Sequence, residues 1–186
     1  MPSPGDRIDQ AILATLQRDG RIANIDLAEA VSLSPSACLR RVRALEASGI
    51  IDGYSAEISR PAAGLGLTAF IGLRVENHSR AASRDIEQAL TAIPAVVGCF
   101  VTSGEDDFMV EVAAQDLADY ERVLLDQILA VPGVGRARTT FAIRTVLDRG
   151  TLPLTPWRGV RHAELPARYR LSAGAALRDG TAAAAA

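Results

Sequence analysis

Apolar residues recur at helical spacing through the first part of the chain. A first stripe follows a capping residue, Asp6, and stops before Gly20. Leu27 and Val31 mark a shorter second helix, which ends at the Ser-Leu-Ser break of residues 32–34. The first stripe consists of Ile8, Ile12, Leu13 and Leu16. The pattern therefore predicts two helices and a sharp turn before residue 35.

A third helix begins at a well-defined place. Ser34 can cap it by accepting a hydrogen bond from a first-turn amide, and Pro35 suits a first helical position, where no N–H is needed. Gly49 ends it. The apolar stripe is Cys38, Val42 and Leu45, and the opposite face carries Ser36, Arg40, Arg43 and Ala47. Arg41 lies between the two faces, and an extended run is predicted over residues 50–59.

The third helix has the residue types of a DNA-reading helix. Small residues at its start permit close approach to bases, and guanidinium groups can bind guanine edges or phosphates. We assign base reading to Arg40 and backbone contact to Arg41. The alternative is an ordinary amphipathic helix, in which Arg43 pairs with Glu46 on a solvated face.

A second domain follows a Pro- and Gly-containing boundary at residues 60–66. Strand alternation and helical spacing then follow one another in the order β-α-β-β-α-β. The strands are predicted at 67–76, 96–103, 107–113 and 134–147, with a helix ending at Pro94 and another running from Asp116 to Pro132. This order predicts an α+β protein whose second domain is ferredoxin-like, with both helices on one face of the sheet.

The predicted organisation has four parts. Residues 1–53 form the helix-turn-helix, residues 54–66 a strand and linker, and residues 67–148 the βαββαβ domain. Residues 149–186, with three Pro and a closing run of Ala, are predicted to be a disordered tail. The open sheet face carries Phe70, so a second copy is expected to cover it as a homodimer.

Charge and composition narrow the picture further. The net charge is −2, every basic residue is Arg, and residues 1–60 carry 7 Arg against 8 acids. DNA binding would thus depend on a local Arg cluster rather than on a basic field. Cys38 and Cys99 fall in apolar runs and are expected to be free thiols, and no metal-binding spacing is present. No secretion signal or membrane span is evident, so a cytoplasmic protein without a cofactor is expected.

These features together resemble the Lrp/AsnC, or feast/famine, regulators over roughly residues 6–148. The resemblance is carried by a set of short motifs whose combination is specific. They are Arg7-Ile8-Asp9, Asp19-Gly20-Arg21, Leu33-Ser34-Pro35-Ser36, Arg41-Val42-Arg43, Gly49-Ile50-Ile51, Ser103-Gly104, Asp107-Phe108 and Pro132-Gly133-Val134. Two positions depart from the family pattern at the DNA end: Ser32 stands where Gly is typical, and Arg40 where an acid is frequent.

The resemblance implies a winged-type helix-turn-helix that binds double-stranded DNA and a C-terminal domain that binds a small-molecule effector, usually an amino acid. It also implies dimers that assemble further, often to octamers. The DNA-binding residues implied are Ser34, Ser36, Arg40, Arg41 and Arg43. The effector-binding residues implied are Gly104, Glu105, Asp106, Asp107, Thr139 and Thr140. The run of carboxylates at residues 105–107 favours a basic or polar amino acid, and a plain hairpin turn is the alternative interpretation of that loop.

Two other functions stay open at this stage. Some proteins similar to this family are siroheme decarboxylases, which use His and Arg around a tetrapyrrole, but this chain has only His78 and His162. A sensor that does not contact DNA is the second, and the predicted helix-turn-helix argues against it. No pair of nucleophile and base stands out, so an enzyme is not expected.

Overall fold

The computed structural model describes residues 6–76 and 79–154, which divide into two compact units. Among these residues, the first unit contains 6–56 and 149–154, and the second contains 57–76 and 79–148. The division after Ala56 falls inside the predicted strand and linker of residues 54–66. Residues 155–186, most of the predicted tail, lie outside the described residues.

The first unit is a three-helix core, as predicted. The helices are α1 (Arg7–Arg18), α2 (Asn24–Ala30) and α3 (Pro35–Ala47). Asp6 caps α1 by accepting from the amides of Ile8 and Asp9, and Ser34 caps α3 by accepting from the amide of Ala37. The buried core consists of Ile12, Leu13, Leu27, Ala28, Cys38, Val42 and Leu45.

The turn between α2 and α3 has left-handed backbone at Ser32, with φ of 55°. No other non-glycine residue in the described parts of the chain has a positive φ. The turn therefore keeps the geometry that suits Gly although a Ser occupies it.

The predicted extended run over residues 50–59 does not become a strand, because residues 52–59 pair with no strand of the described chain. An extended segment forms a strand only when a neighbour takes up its amides and carbonyls. In the tail, Leu154 is half-buried against the core of the first unit, whereas residues 151–153 are exposed.

The second unit is the predicted βαββαβ domain. Its elements are β1 (Leu67–Val75), α4 (Arg80–Thr91), β2 (Val96–Val101), β3 (Phe108–Ala114), α5 (Leu117–Arg122) and β4 (Val134–Phe141). The strands are antiparallel in the order β2-β3-β1-β4. Both helices pack on one sheet face, which buries Ala69, Ile71, Leu73 and Val75 of β1.

Two details of the second unit differ from the prediction. The helix after Asp116 turns into a π-helix at Val123–Ile128, within which Val123 and Ile128, five residues apart, are both buried. Leu117, at the start of α5, is exposed. The last strand stops at Phe141, and beyond it Ile143, Val146 and Leu147 are exposed. Apolar spacing alone could not distinguish these residues from a continued buried face.

Candidate DNA-binding and effector sites

Helix α3 presents one face to the core and one to solvent. Cys38, Val42 and Leu45 are buried, whereas Ser36, Arg40 and Arg43 are exposed on the other side. Within the described ranges, neither Arg40 nor Arg43 makes an ion pair or a hydrogen bond through its side chain. Their guanidinium groups are therefore available to an external anion.

The alternative pair between Arg43 and Glu46 does not form. Glu46 instead accepts a hydrogen bond from the hydroxyl of Tyr54, at 3.0 Å. The Tyr54 ring also lies beside Gly20, where an added Cβ would be 3.4 Å from it. Burial and the nearby Glu46 carboxylate raise the pKa of Tyr54. Glu46 therefore holds the segment after α3 in place and leaves Arg43 unpaired.

Hydroxyl groups surround the start of α3. The Ser34 Oγ accepts from the Ala37 amide at 3.3 Å and lies 3.3 Å from the Ser36 Oγ. The side-chain amide of Asn24 donates to the Pro35 carbonyl at 2.9 Å, which ties α2 to α3. Ser34 thus serves as the helix cap, and Ser36 is the more available of the two hydroxyls.

Arg41 has partners that its sequence position did not indicate. Its Nη1 lies 2.7 Å from Asp9 Oδ1 and 2.9 Å from Asp6 Oδ2, both at the start of α1. Hydrogen bonding to Asp9, despite some desolvation, raises the pKa of Arg41. Burial alone would raise the pKa of Asp6, but hydrogen bonds from the Asp9 amide and from Arg41 outweigh it and lower that pKa. Backbone contact by Arg41 stays a prediction.

The acidic loop of residues 104–107 is neutralised in part by arginines of the sheet. Arg138 lies 2.6 Å from Asp106 Oδ2 and 3.2 Å from Glu105 Oε2, and Arg74 donates to the Glu105 carbonyl. Hydrogen bonding to Asp106 raises the pKa of Arg138. One guanidinium thus offsets part of the charge of the three carboxylates, and a basic or polar effector stays a prediction.

Gly72 makes room for the Asp106 carboxylate. An added Cβ at Gly72 would lie 2.1 Å from Asp106 Oδ2, so no other residue fits there without moving the Asp106 side chain. Gly104 has φ of +151°, and nothing lies within 4 Å of a Cβ built on it. The loop thus depends on two glycines for different reasons, one for space and one for backbone conformation.

Asp107 faces the backbone of β1. Its Oδ2 accepts from the Val75 amide at 2.9 Å, and its own amide donates to the Leu73 carbonyl at 2.8 Å. The bond to Val75 lies where the pairing of β1 with β4 shifts register between Arg74 and Val75. Asp107 therefore supports an irregular part of the sheet, a role that the sequence did not suggest.

The two threonines of β4 lie on opposite faces of the sheet. Thr139 pairs across from Ile71, on the helix-covered face, and its hydroxyl hydrogen-bonds to Tyr120. Thr140 pairs across from Phe70, on the open face that also holds Arg138. One ligand on the open face can therefore contact Thr140 but not Thr139. The alternation rule, applied to β4, was enough to foresee this separation.

Sequence reasoning missed the arginine and glycine partners of the acidic loop. Arg138 stands across from Gly72 in the strand register, so it reaches over the glycine to Asp106. Pairing register between distant strands carries that information, and one strand's own pattern does not.

Three findings bear on other classes of protein. Among the described residues, no three His, Cys, Asp or Glu side chains come together as a metal site. Cys38 and Cys99 are free thiols, the first buried and the second half-buried. Within the same parts of the chain, no helix combines the length and apolarity needed to cross a bilayer.

Comparison with known proteins covers both units. A profile described as winged helix-turn-helix DNA-binding matches residues 5–52, and one described as Lrp/AsnC ligand binding domain matches residues 68–152. The leucine-responsive regulatory protein of Rhizobium meliloti is 38% identical over 77% of this chain and 92% of its own. The Bkd operon transcriptional regulator of Pseudomonas aeruginosa is 35% identical over 80% and 97%.

Solved structures give the same result. A transcriptional regulator of Neisseria meningitidis in complex with L-Met has a TM-score of 0.77 at 35% identity, covering 81% of this chain and 97% of that one. A feast or famine regulatory protein of Mycobacterium tuberculosis complexed with L-methionine has a TM-score of 0.73 at 34% identity, covering 80% and 99%.

Proposed function

The chain belongs to the Lrp/AsnC family of transcriptional regulators, and on that premise we propose that α3 enters the DNA major groove with Ser36, Arg40 and Arg43 foremost. The observation that carries this is the exposed, unpaired state of Arg40 and Arg43 on the side of α3 opposite its buried stripe. Guanidinium groups bind guanine edges and phosphates by paired hydrogen bonds. Ser34 supports the same surface mainly as the helix cap.

Anisotropy measurements with DNA from upstream of the protein's own gene test this assignment. Binding should be saturable and salt-dependent, and Arg43→Ala should lower the slope of log K against log salt by about 0.9 if it loses one phosphate contact. Arg40→Ala should relax base preference as well as weaken binding. Arg84→Ala, an exposed arginine of α4, is the matched control and should change neither quantity. A parent protein that does not bind at low salt would refute the proposal.

For the effector, we propose an amino acid bound at the acidic loop on the open face of the sheet. Two relatives were solved with L-methionine, and the matching profile is described as a ligand-binding domain. Here the open face offers a guanidinium at Arg138, carboxylates at Glu105 and Asp106, and the hydroxyl of Thr140. These groups complement both charges of a zwitterion. Gly104 permits close backbone approach, while Asp107 and Thr139 support the site from behind.

A thermal-shift screen of the twenty amino acids, with L-methionine first, tests the effector class. At least one amino acid should raise the melting temperature of the parent in a saturable way. Thr140→Val should weaken that response, whereas Thr139→Val should lower the unliganded melting temperature and leave the apparent affinity unchanged. The reverse pattern would place the ligand on the helix-covered side, and no stabilisation by any amino acid would refute the effector class.

We also propose that a second copy covers the open sheet face. Phe70 and Phe100 are 38% and 57% exposed there, and Met109 pairs across from Phe100 on the same face. Light scattering should give a dimer or a larger even assembly such as an octamer, and Phe100→Asp should reduce it. A monomeric parent would contradict the dimer.

Because a transcriptional regulator acts on the chromosome, we place the protein in the cytoplasm.

A further inference from the structure

We propose that Arg41 is a positioning residue for the DNA-reading helix and does not itself contact phosphate. This inference rests on DNA binding by α3, the proposed function. It starts from one geometry: a single nitrogen, Arg41 Nη1, lies 2.7 Å from Asp9 Oδ1 and 2.9 Å from Asp6 Oδ2. The side chains of Arg41 and Asp9 are only 19% and 7% exposed.

The two carboxylates are themselves held in place. Asp6 uses its Oδ1 to cap α1, accepting from the amides of Ile8 and Asp9 at 3.0 and 2.9 Å, and uses its Oδ2 for Arg41. Asp9 is buried within the first turn of α1. Arg41 is therefore anchored to the rigid, capped end of a helix and not to a mobile side chain.

The anchor fixes the rotation of α3 about its own axis. Arg41 lies between the buried stripe and the exposed face, next to Arg40 and two residues before Arg43 along the helix. Apolar contacts of Cys38 and Val42 fix how deeply α3 packs, but these contacts are not directional and resist rotation of the helix weakly. A directional ion pair at the edge of the stripe resists it better, since the bond lengthens as soon as the helix turns.

The positive charge of Arg41 is also already paired with two carboxylates. Two carboxylates within 3 Å outweigh one guanidinium, so this cluster adds no net attraction for a phosphate. Arg43, two residues along, has no such partner in the described chain. The two arginines are thus a matched pair on one helix, one anchored and one available.

The decisive variant is Asp9→Asn, which removes a negative charge close to the DNA-binding surface. If Arg41 contacted phosphate, freeing it from Asp9 would tighten binding. We expect the opposite: both Asp9→Asn and Arg41→Ala should weaken binding to the upstream DNA by about fivefold or more. The salt slope should stay at the parental value in both, whereas Arg43→Ala should lower it by about 0.9. Binding is measured well below each variant's melting temperature.

A rescue variant keeps the inference testable if either single change unfolds the unit. Replacing both members with apolar residues, Arg41→Met with Asp9→Leu, leaves no buried charge unpaired and should recover the fold. Because this variant lacks the directional ion pair, it should still bind the upstream DNA more weakly than the parent, at the parental salt slope. Tighter binding by Asp9→Asn, a reduced slope in Arg41→Ala, or a folded Arg41→Met/Asp9→Leu variant that binds as tightly as the parent would overturn the inference and leave the proposed function standing. A parent that fails to bind would overturn both.

Discussion

At the scale of single residues, the turn between α2 and α3 carries measurable strain. Ser32 has φ of 55°, a conformation that costs an L-residue roughly 1 to 2 kcal/mol. Gly relieves that strain, but part of the gain is lost because its unfolded chain is more flexible. Ser32→Gly should therefore stabilise the protein by about 0.5 to 1 kcal/mol in urea unfolding. Ser48→Gly is the control, because Ser48 has ordinary helical backbone and should lose stability instead. Equal effects at both positions would contradict the strain.

Gly72 gives a second prediction at this scale. An alanine Cβ there would meet Asp106 Oδ2 at 2.1 Å, so Gly72→Ala should displace Asp106 and break its pair with Arg138. The expected result is loss of amino-acid stabilisation in the thermal-shift assay with a smaller change in the unliganded melting temperature. Gly66→Ala, where the nearest atom is 3.6 Å away, is the control and should keep the response. A normal response in Gly72→Ala would show that the Asp106 position is irrelevant to the effector.

At the scale of elements, the ion pair between α1 and α3 links stability to pH. The pKa of Asp6 is lowered from its ordinary value of 3.8, because hydrogen bonds from the Asp9 amide and Arg41 outweigh desolvation. Its contribution is therefore fully present above that value and is lost as pH falls through the lower, folded-state pKa. Unfolding free energies measured from pH 6 down to 2 should fall less steeply for Asp6→Asn than for the parent. Parallel curves for Asp6→Asn and the parent would show that Asp6 does not contribute to the loss of stability at low pH.

Elements also show how far the sequence alone could be taken. Ser34 and Pro35 predicted the start of α3, and alternation predicted β1 and β3, because these signals are local. The partners of Arg41 were not predictable, since periodicity placed it between two faces and said nothing of Asp9 on another helix. The π-helix at Val123–Ile128 likewise leaves the apolar spacing ambiguous, because Leu124, which an α-helical stripe places in the core, is only partly buried there while its neighbour Val123 is fully buried.

At the scale of the whole chain, the path after β4 returns to the unit that contains α1. The side-chain amide of Gln17 bonds both the amide and the carbonyl of Leu152, and Leu154 packs against the core around Ile12. The tail predicted to be disordered thus begins with residues that pack on the DNA-binding unit. The chain consequently runs between the two units twice, once near residue 56 and once near residue 148.

This return of the chain predicts a stability effect that depends on where the protein is cut. A chain ending at Asp148 should be roughly 1 to 2 kcal/mol less stable than one ending at Leu154, the contribution of one partly buried leucine and its neighbouring backbone contacts. Leu154→Ala should reproduce most of that loss, and Ile143→Ala, at a residue 99% exposed, should reproduce none. If the shorter chain is as stable as the longer one, the contact of Leu154 with the core around α1 does not contribute to stability. If Ile143→Ala costs as much stability as Leu154→Ala, the loss of stability comes from the exposed apolar segment after β4. A second copy of the chain would then cover that segment in the assembly.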